Sequence, residues 1–196
     1  MSMNFSHHFS PTPRLVAPGL SGFLLALGLM AAASGSALAQ TTPPPAECNE
    51  FAESVNRNQV IMASFEAEIA TFAENAAAAS TLDEITAAAA QYVSAVDAVT
   101  GSLEELANEL ASLAFIDAQL QDYRDGYVDV LGGFNQALDT VNTAMLQVAI
   151  AETEADLIAS LETVEIDSST ASDQIAVLAT DESNLIDDVN GYCGVE

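Results

Sequence analysis

Apolar residues recur along most of this chain in alternating steps of three and four. The first run is Cys48, Phe51, Val55, Asn58, Met62, Phe65, Ile69, Phe72 and Ala76, with one polar position in it. The second, Leu82, Ile85, Ala89, Tyr92, Val96, Val99, Leu103, Leu106, Leu110 and Leu113, has none. A third runs from Leu120 through Tyr123, Tyr127, Leu131, Phe134, Leu138, Val141 and Met145 to Val148. The fourth is Leu157, Leu161, Val164, Ser168, Ala171, Ile175, Leu178, Glu182, Leu185, Val189 and Tyr192, with polar breaks at Ser168 and Glu182. A spacing of about 3.5 sustained this long predicts long helices packed at small angles. Such a pattern speaks to architecture and says little about activity.

The breaks between runs differ in clarity. Thr81-x-x-Glu84 has the form of a capping box, and the register slips between Ala79 and Leu82. Thr153-x-x-Asp156 marks a second helix start before Leu157. The middle break, near Leu113 to Asp117, has little local signature. Gly132-Gly133 competes with it, either as a break or as a close-packing or kink site inside the third helix. No proline follows Pro45, which permits uninterrupted helices. The predicted helices span about 47–79, 81–113, 116–150 and 154–191 within a domain of residues 47–194. The segment Thr81–Ile85 resembles Thr153–Leu157, and both a duplicated helical hairpin and chance in an alanine-rich chain account for the likeness.

The two cysteines, Cys48 and Cys193, bracket this domain. In an exported protein the simplest pairing is one disulfide. A pair at the chain ends requires an even number of antiparallel helices. The fold class expected is therefore all-α, an up-down-up-down four-helix bundle of long heptad-patterned helices.

Export is itself a reading of the N-terminus. Arg14 precedes the apolar run Leu20–Ala33, and small residues follow to Ala37-Leu38-Ala39. A positive start, an apolar stretch and an A-x-A site make a secretory signal peptide over residues 1–39, cleaved between Ala39 and Gln40. Residues 40–46 then form a proline-rich spacer ahead of the bundle. The alternative is an uncleaved membrane anchor, because Leu20–Ala39 is apolar or small over about the 20 residues a bilayer requires. Pro45-Ala46-Glu47 before Cys48 does not resemble a lipobox. The expected location is periplasmic or extracellular, by bacterial export.

Charge changes the picture of partners. All 29 acidic residues follow residue 39, and the formal net charge of −26 becomes −27 once Arg14 is removed. Only Arg57 and Arg124 oppose them. Nucleic acid and anionic membrane surfaces repel such a chain, since their binders carry basic patches. What remains is solubility in a salty exterior, diffuse cation binding, or a protein partner, including a second copy.

Missing residue types exclude chemistry. Both histidines, His7 and His8, lie in residues 1–39, and the chain has no Lys and no Trp. The domain therefore lacks the commonest general base, the commonest metal ligand and any Schiff-base amine. No cofactor is expected. Asp122, Asp125 and Asp129 around Gly126 are the candidate metal ligands, but the EF-hand pattern fails: with Gly126 sixth, its first, third and twelfth positions are Gln121, Tyr123 and Gly132. A solvated helix face is the plainer account. Carboxylate pairs such as Glu104-Glu105 come with no cleft. The polar seam positions Asn58, Ser168 and Glu182 specify register or line a cavity. Arg124 is placed to reach a seam acid such as Glu182, or to form an exposed ion pair. The expected function is a non-enzymatic structural or interaction role; a carrier of a small apolar ligand, or low-affinity cation binding, is the alternative.

Like charges crowded on folded helices oppose compaction, and salt relieves this as the Debye length falls from about 30 Å at 0.01 M to about 3 Å at 1 M. The melting temperature is expected to rise with sodium chloride, and calcium at matched ionic strength to add a modest, unsaturating gain. A saturable rise at micromolar calcium in a thermal scan would instead reveal a specific site.

Overall fold

The computed structural model describes residues 44–194. The signal-peptide reading, the Ala39–Gln40 site and most of the spacer lie outside the described residues. Among those residues there are four helices and no strand: α1 (Pro45–Ala78), α2 (Leu82–Ser112), α3 (Ala118–Ala149) and α4 (Glu154–Cys193). No helix among them is long and apolar enough to cross a membrane.

Each helix start follows from local chemistry. α1 opens on Pro45, whose missing N–H has no partner to lose in a first turn. Thr81 and Glu84 form a complete capping box: the Thr81 hydroxyl accepts from the Glu84 N–H, and the Glu84 carboxylate accepts back from the Thr81 N–H at 3.1 Å. The Ser80 N–H, at 2.8 Å, is the largest of several bonds that hold the Glu84 carboxyl below its usual range. Thr153 caps α4 by accepting from the Asp156 N–H. The faint middle break has a cap as well, since Asp117 Oδ1 accepts from the Leu120 N–H at 3.0 Å. Gly132-Gly133 is not a break; α3 runs straight through it.

The helices reverse direction at each turn, as cross-helix contacts show. Asn75 meets Gln91 and Arg57 meets Glu109, so α1 and α2 are antiparallel. A Cβ at Gly126 or Gly133 would meet Leu185 or Leu178 respectively, so α3 and α4 are antiparallel too. The Cα atoms of Cys48 and Cys193 stand 6.0 Å apart across their disulfide, which ties the start of α1 to the end of α4.

Burial is unequally shared. α3 buries eleven residues and α2 eight, while α1 buries four and α4, the longest helix, only three. α3 lies against α2 on one side and α4 on the other; α1 rests chiefly on α2 and barely touches α4. The core is therefore an α2–α3 slab with α1 and α4 laid along its edges. Where α4 does approach, glycine makes the room. A Cβ at Gly133 would sit 2.5 Å from Leu178 Cδ2 and 3.1 Å from its Cδ1, and one at Gly126 would sit 2.9 Å from Leu185 Cδ1. Two notches one heptad apart thus receive two leucines.

The adjacent glycines make a paired test. Gly132 has nothing within 4 Å of an added Cβ, so Gly132→Ala should gain stability by about 0.5–1 kcal/mol through helix propensity alone. Gly133→Ala should forfeit that gain and lose about 1 kcal/mol more, because the Leu178 side chain must be displaced. Chemical denaturation of both variants checks this; equal gains would mean that α4 does not seat on α3 at Gly133.

Candidate functional site

The two ends of the molecule differ. At the disulfide end, polar groups tie all four helices together. Glu47, in the first turn of α1, accepts from the backbone N–H groups of Ile116 and Asp117 at 3.1 and 3.2 Å, closing the α2–α3 turn. Tyr192 on α4 donates to the carboxylate of Asp117, at 2.9 Å to Oδ2. Arg124 donates to the Leu113 carbonyl at 2.7 Å and pairs with Asp125. It satisfies the C-terminus of α2 rather than reaching Glu182, because α2 ends within its span and Asp125 is its chain neighbour. Phe115 is buried beneath this network.

One layer inward lies the most unusual group of side chains. Asn58 on α1, 2% exposed, donates through Nδ2 to the Tyr127 hydroxyl at 3.0 Å and to Glu182 Oε1 at 2.8 Å. Tyr127 on α3, fully buried, donates to the same Glu182 oxygen at 2.7 Å. Two of the polar seam residues read from the sequence, Asn58 and Glu182, are thus brought together, with Tyr127 as the third member. Ser168 lies farther along α4 and takes no part. Phe51 stacks edge-on against Tyr127 at 5.7 Å. Burial, then the charge of Glu182, raises the Tyr127 phenol well above its ordinary value of 10.0. A raised phenol pKa means that this contribution is whole below about pH 10 and is lost as pH climbs above it. Tyr92, half-buried against Phe72, is pushed up to about 12 by burial alone. Asn58 Oδ1 is buried and accepts no hydrogen bond.

Beyond this polar group the α1–α4 seam loosens. Phe51, Val55 and Asn58 are buried, but Met62, Phe65, Ile69 and Phe72 are only half-buried and Ala76 is exposed. Opposite them, α4 between Leu157 and Val189 buries one residue, Ala171. Leu161, a seam position by its spacing, is 44% exposed, and Ile158 beside it 61%. Leu146, Ile150 and Ile166 are also exposed toward this end. Repeat spacing names the residues that face inward; it does not say how closely two seams approach.

The carboxylates read as metal candidates lie apart from this seam. Asp122, Asp125 and Asp129 are exposed along α3, with Asp125 engaged by Arg124. Among the described residues no group of three or more acidic, histidine or cysteine side chains is placed to hold an ion. A shallow groove between α2 and α3 is lined by Asp97, Glu104 and Asp139 with Asn135. It is open to solvent, a place for screening cations rather than a closed cage. Arg57 pairs with Glu109, both about half exposed, a contact worth little.

Comparison with protein-family models, with curated proteins and with solved structures returned no match.

The polar group makes a pH-resolved prediction. Asn58→Asp sets a second carboxylate against Glu182, and like charges raise the folded-state pKa of the pair. The folded protein then holds more protons than the unfolded chain, so the variant loses stability as pH rises. The deficit should be on the order of 3 kcal/mol at neutral pH and should close as pH falls toward about 4. Denaturation at several pH values measures it; a deficit independent of pH would place Asn58 away from Glu182.

Proposed function

We propose that this chain is an exported, strongly acidic four-helix bundle of up-down-up-down topology that serves a non-enzymatic structural or protein-interaction role in the periplasm or outside the cell. Residues 1–39 direct export, cleavage falls between Ala39 and Gln40, and the disulfide forms in that oxidising compartment. The observation that supports an interaction role is the apolar surface gathered at one end. Ile150, Ile158, Leu161 and Ile166 are exposed beside a seam whose residues are half-buried, and rimmed apolar surface of this kind is where partners bind. The polar groups, by contrast, are spent on joining helices: Asn58, Tyr127 and Glu182 on one another, Glu47 and Asp117 on the turns.

The half-buried seam residues of α1 also favour a second reading, a carrier of a small apolar ligand in the bundle core. Native mass spectrometry of the protein taken from its own exported fraction separates the two. The interaction reading expects a chain beginning at Gln40, oxidised, in complex with protein. A monomer carrying a small apolar adduct would replace it with the carrier.

A further inference from the structure

The Cys48–Cys193 disulfide joins two helices that barely touch elsewhere, and its surroundings carry one sign of charge. Both cysteines are partly exposed, so a small thiol reaches the bond from solvent. Glu47 precedes Cys48, and Glu50, just beyond it, is exposed. Across the bond, the Tyr192 hydroxyl holds Asp117 next to Cys193, and Asp187 and Asp188 are exposed within two turns of it on α4. The basic residues among those described are both engaged. Arg124 is taken by the Leu113 carbonyl and Asp125, and Arg57 pairs with Glu109.

We infer that this disulfide is a charge-guarded latch: it opens to thiol reductants that carry positive charge beside the reacting sulfur, and it resists anionic thiols. The inference rests on the bond and the charges around it and stands apart from the interaction reading. Opening is an exchange. A reductant thiolate bonds to one of the two sulfurs, the Cys48–Cys193 bond breaks, and the other cysteine leaves as a thiolate that takes a proton from water. A second reductant thiol then attacks the mixed disulfide and frees the remaining cysteine. The protein gains two thiols, and the reductant ends as its own disulfide. The attacking species is an anion, so a surface of carboxylates slows its approach unless a neighbouring cation offsets the charge. The protein reductant that fits is therefore a dithiol on a basic surface, and the formal charge of −26 on the full chain favours that encounter. What opening changes is limited. The Asn58–Glu182 bond still ties α1 to α4, and the buried faces of α2 and α3 pack on one another without the disulfide.

The test follows reduction of the purified, oxidised exported protein by three small thiols alike except in charge: mercaptoethylamine, mercaptoethanol and mercaptoethanesulfonate. Alkylation and intact mass read the rates. Each is divided by the rate of the same thiolate on a small neutral disulfide, which removes differences in thiol pKa and nucleophilicity. At about 0.01 M salt the cationic thiol should react at least about tenfold faster than the anionic one, with the neutral thiol between them. The ratio should fall toward unity at about 1 M salt, where the Debye length is about 3 Å. The double variant Glu50→Gln with Asp188→Asn alters exposed positions beside the bond and should cut the low-salt ratio about threefold. Glu154→Gln with Glu162→Gln, exposed at the opposite end of α4, should leave it unchanged. Equal rates at low salt, a ratio indifferent to salt, or equal effects of the two double variants would overturn the guard. Failure of all three thiols to reduce the bond without denaturant would make it a sealed staple and overturn the latch. Loss of helical circular dichroism on reduction would overturn it too, because the bond would then be holding up the whole fold.

Discussion

The apolar face of α3 serves two neighbours at once, and the rest of the molecule is arranged around that fact. Its buried set includes the seam residues Leu120, Tyr127, Leu131, Phe134, Leu138, Val141, Met145 and Val148, and adds Val130, Ala137 and Ala144 beside them. That wide stripe lets α2 pack on one side and α4 on the other. The small residues matter as much as the large ones. Gly126 and Gly133 let Leu185 and Leu178 seat against the α3 backbone, while Ala88, Ala89 and Ala95 are buried on α2. α1 and α4 have no comparable face for each other. Their union depends on one covalent bond and one polar group near the same end.

That union is concentrated chemistry. The disulfide spans 145 residues, a closure that chain-entropy arguments value at roughly 5 kcal/mol as an upper figure. The Asn58–Tyr127–Glu182 group then joins three helices through a single carboxylate oxygen. A group of this kind fixes register, because a one-residue slide of α1 or α4 breaks two of its three bonds. It also marks where tight packing stops. On one side lie Phe51 and Val55, buried; on the other, Met62 and Phe65, half open. The fold thus has a clamped end and a loose end, and Leu146, Ile150, Ile158, Leu161 and Ile166 are exposed toward the loose one.

Much of this was legible in the sequence, and the reasons are physical. Period and polarity showed four helical runs and named most of the buried residues of α2 and α3, missing chiefly the small ones, Ala88 and Ala95 on α2 and Ala137 and Ala144 on α3, together with Val130. Thr81 and Thr153 announced their helices because capping chemistry is local. The cysteine pairing was expected because the chain has two cysteines and reads as exported, and the even helix count was then inferred from the pairing. The cap at Asp117 escaped notice because nothing but one carboxylate marks it. Asn58 and Glu182 stood out as polar breaks in apolar seams, but their meeting with Tyr127 required helix pairing that no single run reveals. Of the two readings of Arg124, a seam acid such as Glu182 or an exposed ion pair, the structure shows the second, with Asp125, and adds a bond to the Leu113 carbonyl that spacing did not suggest. The loosening of the α1–α4 seam was invisible, since Ile69 and Leu161 obey the repeat as well as any buried leucine.

The fold is asymmetric: α2 and α3 form the main body, and α1 and α4 are joined chiefly at one end. Native-state hydrogen exchange measures this residue by residue. The oxidised protein should show its slowest amides in α2 from Val96 to Leu110 and in α3 from Tyr127 to Val148. Exchange should be faster in α1 beyond Asn58 and in α4 from Ile158 to Ile175. Reduction of Cys48–Cys193 should speed exchange in α1 first and leave the α2–α3 body protected. Uniform protection of all four helices, unchanged by reduction, would describe a closed bundle and contradict the asymmetry.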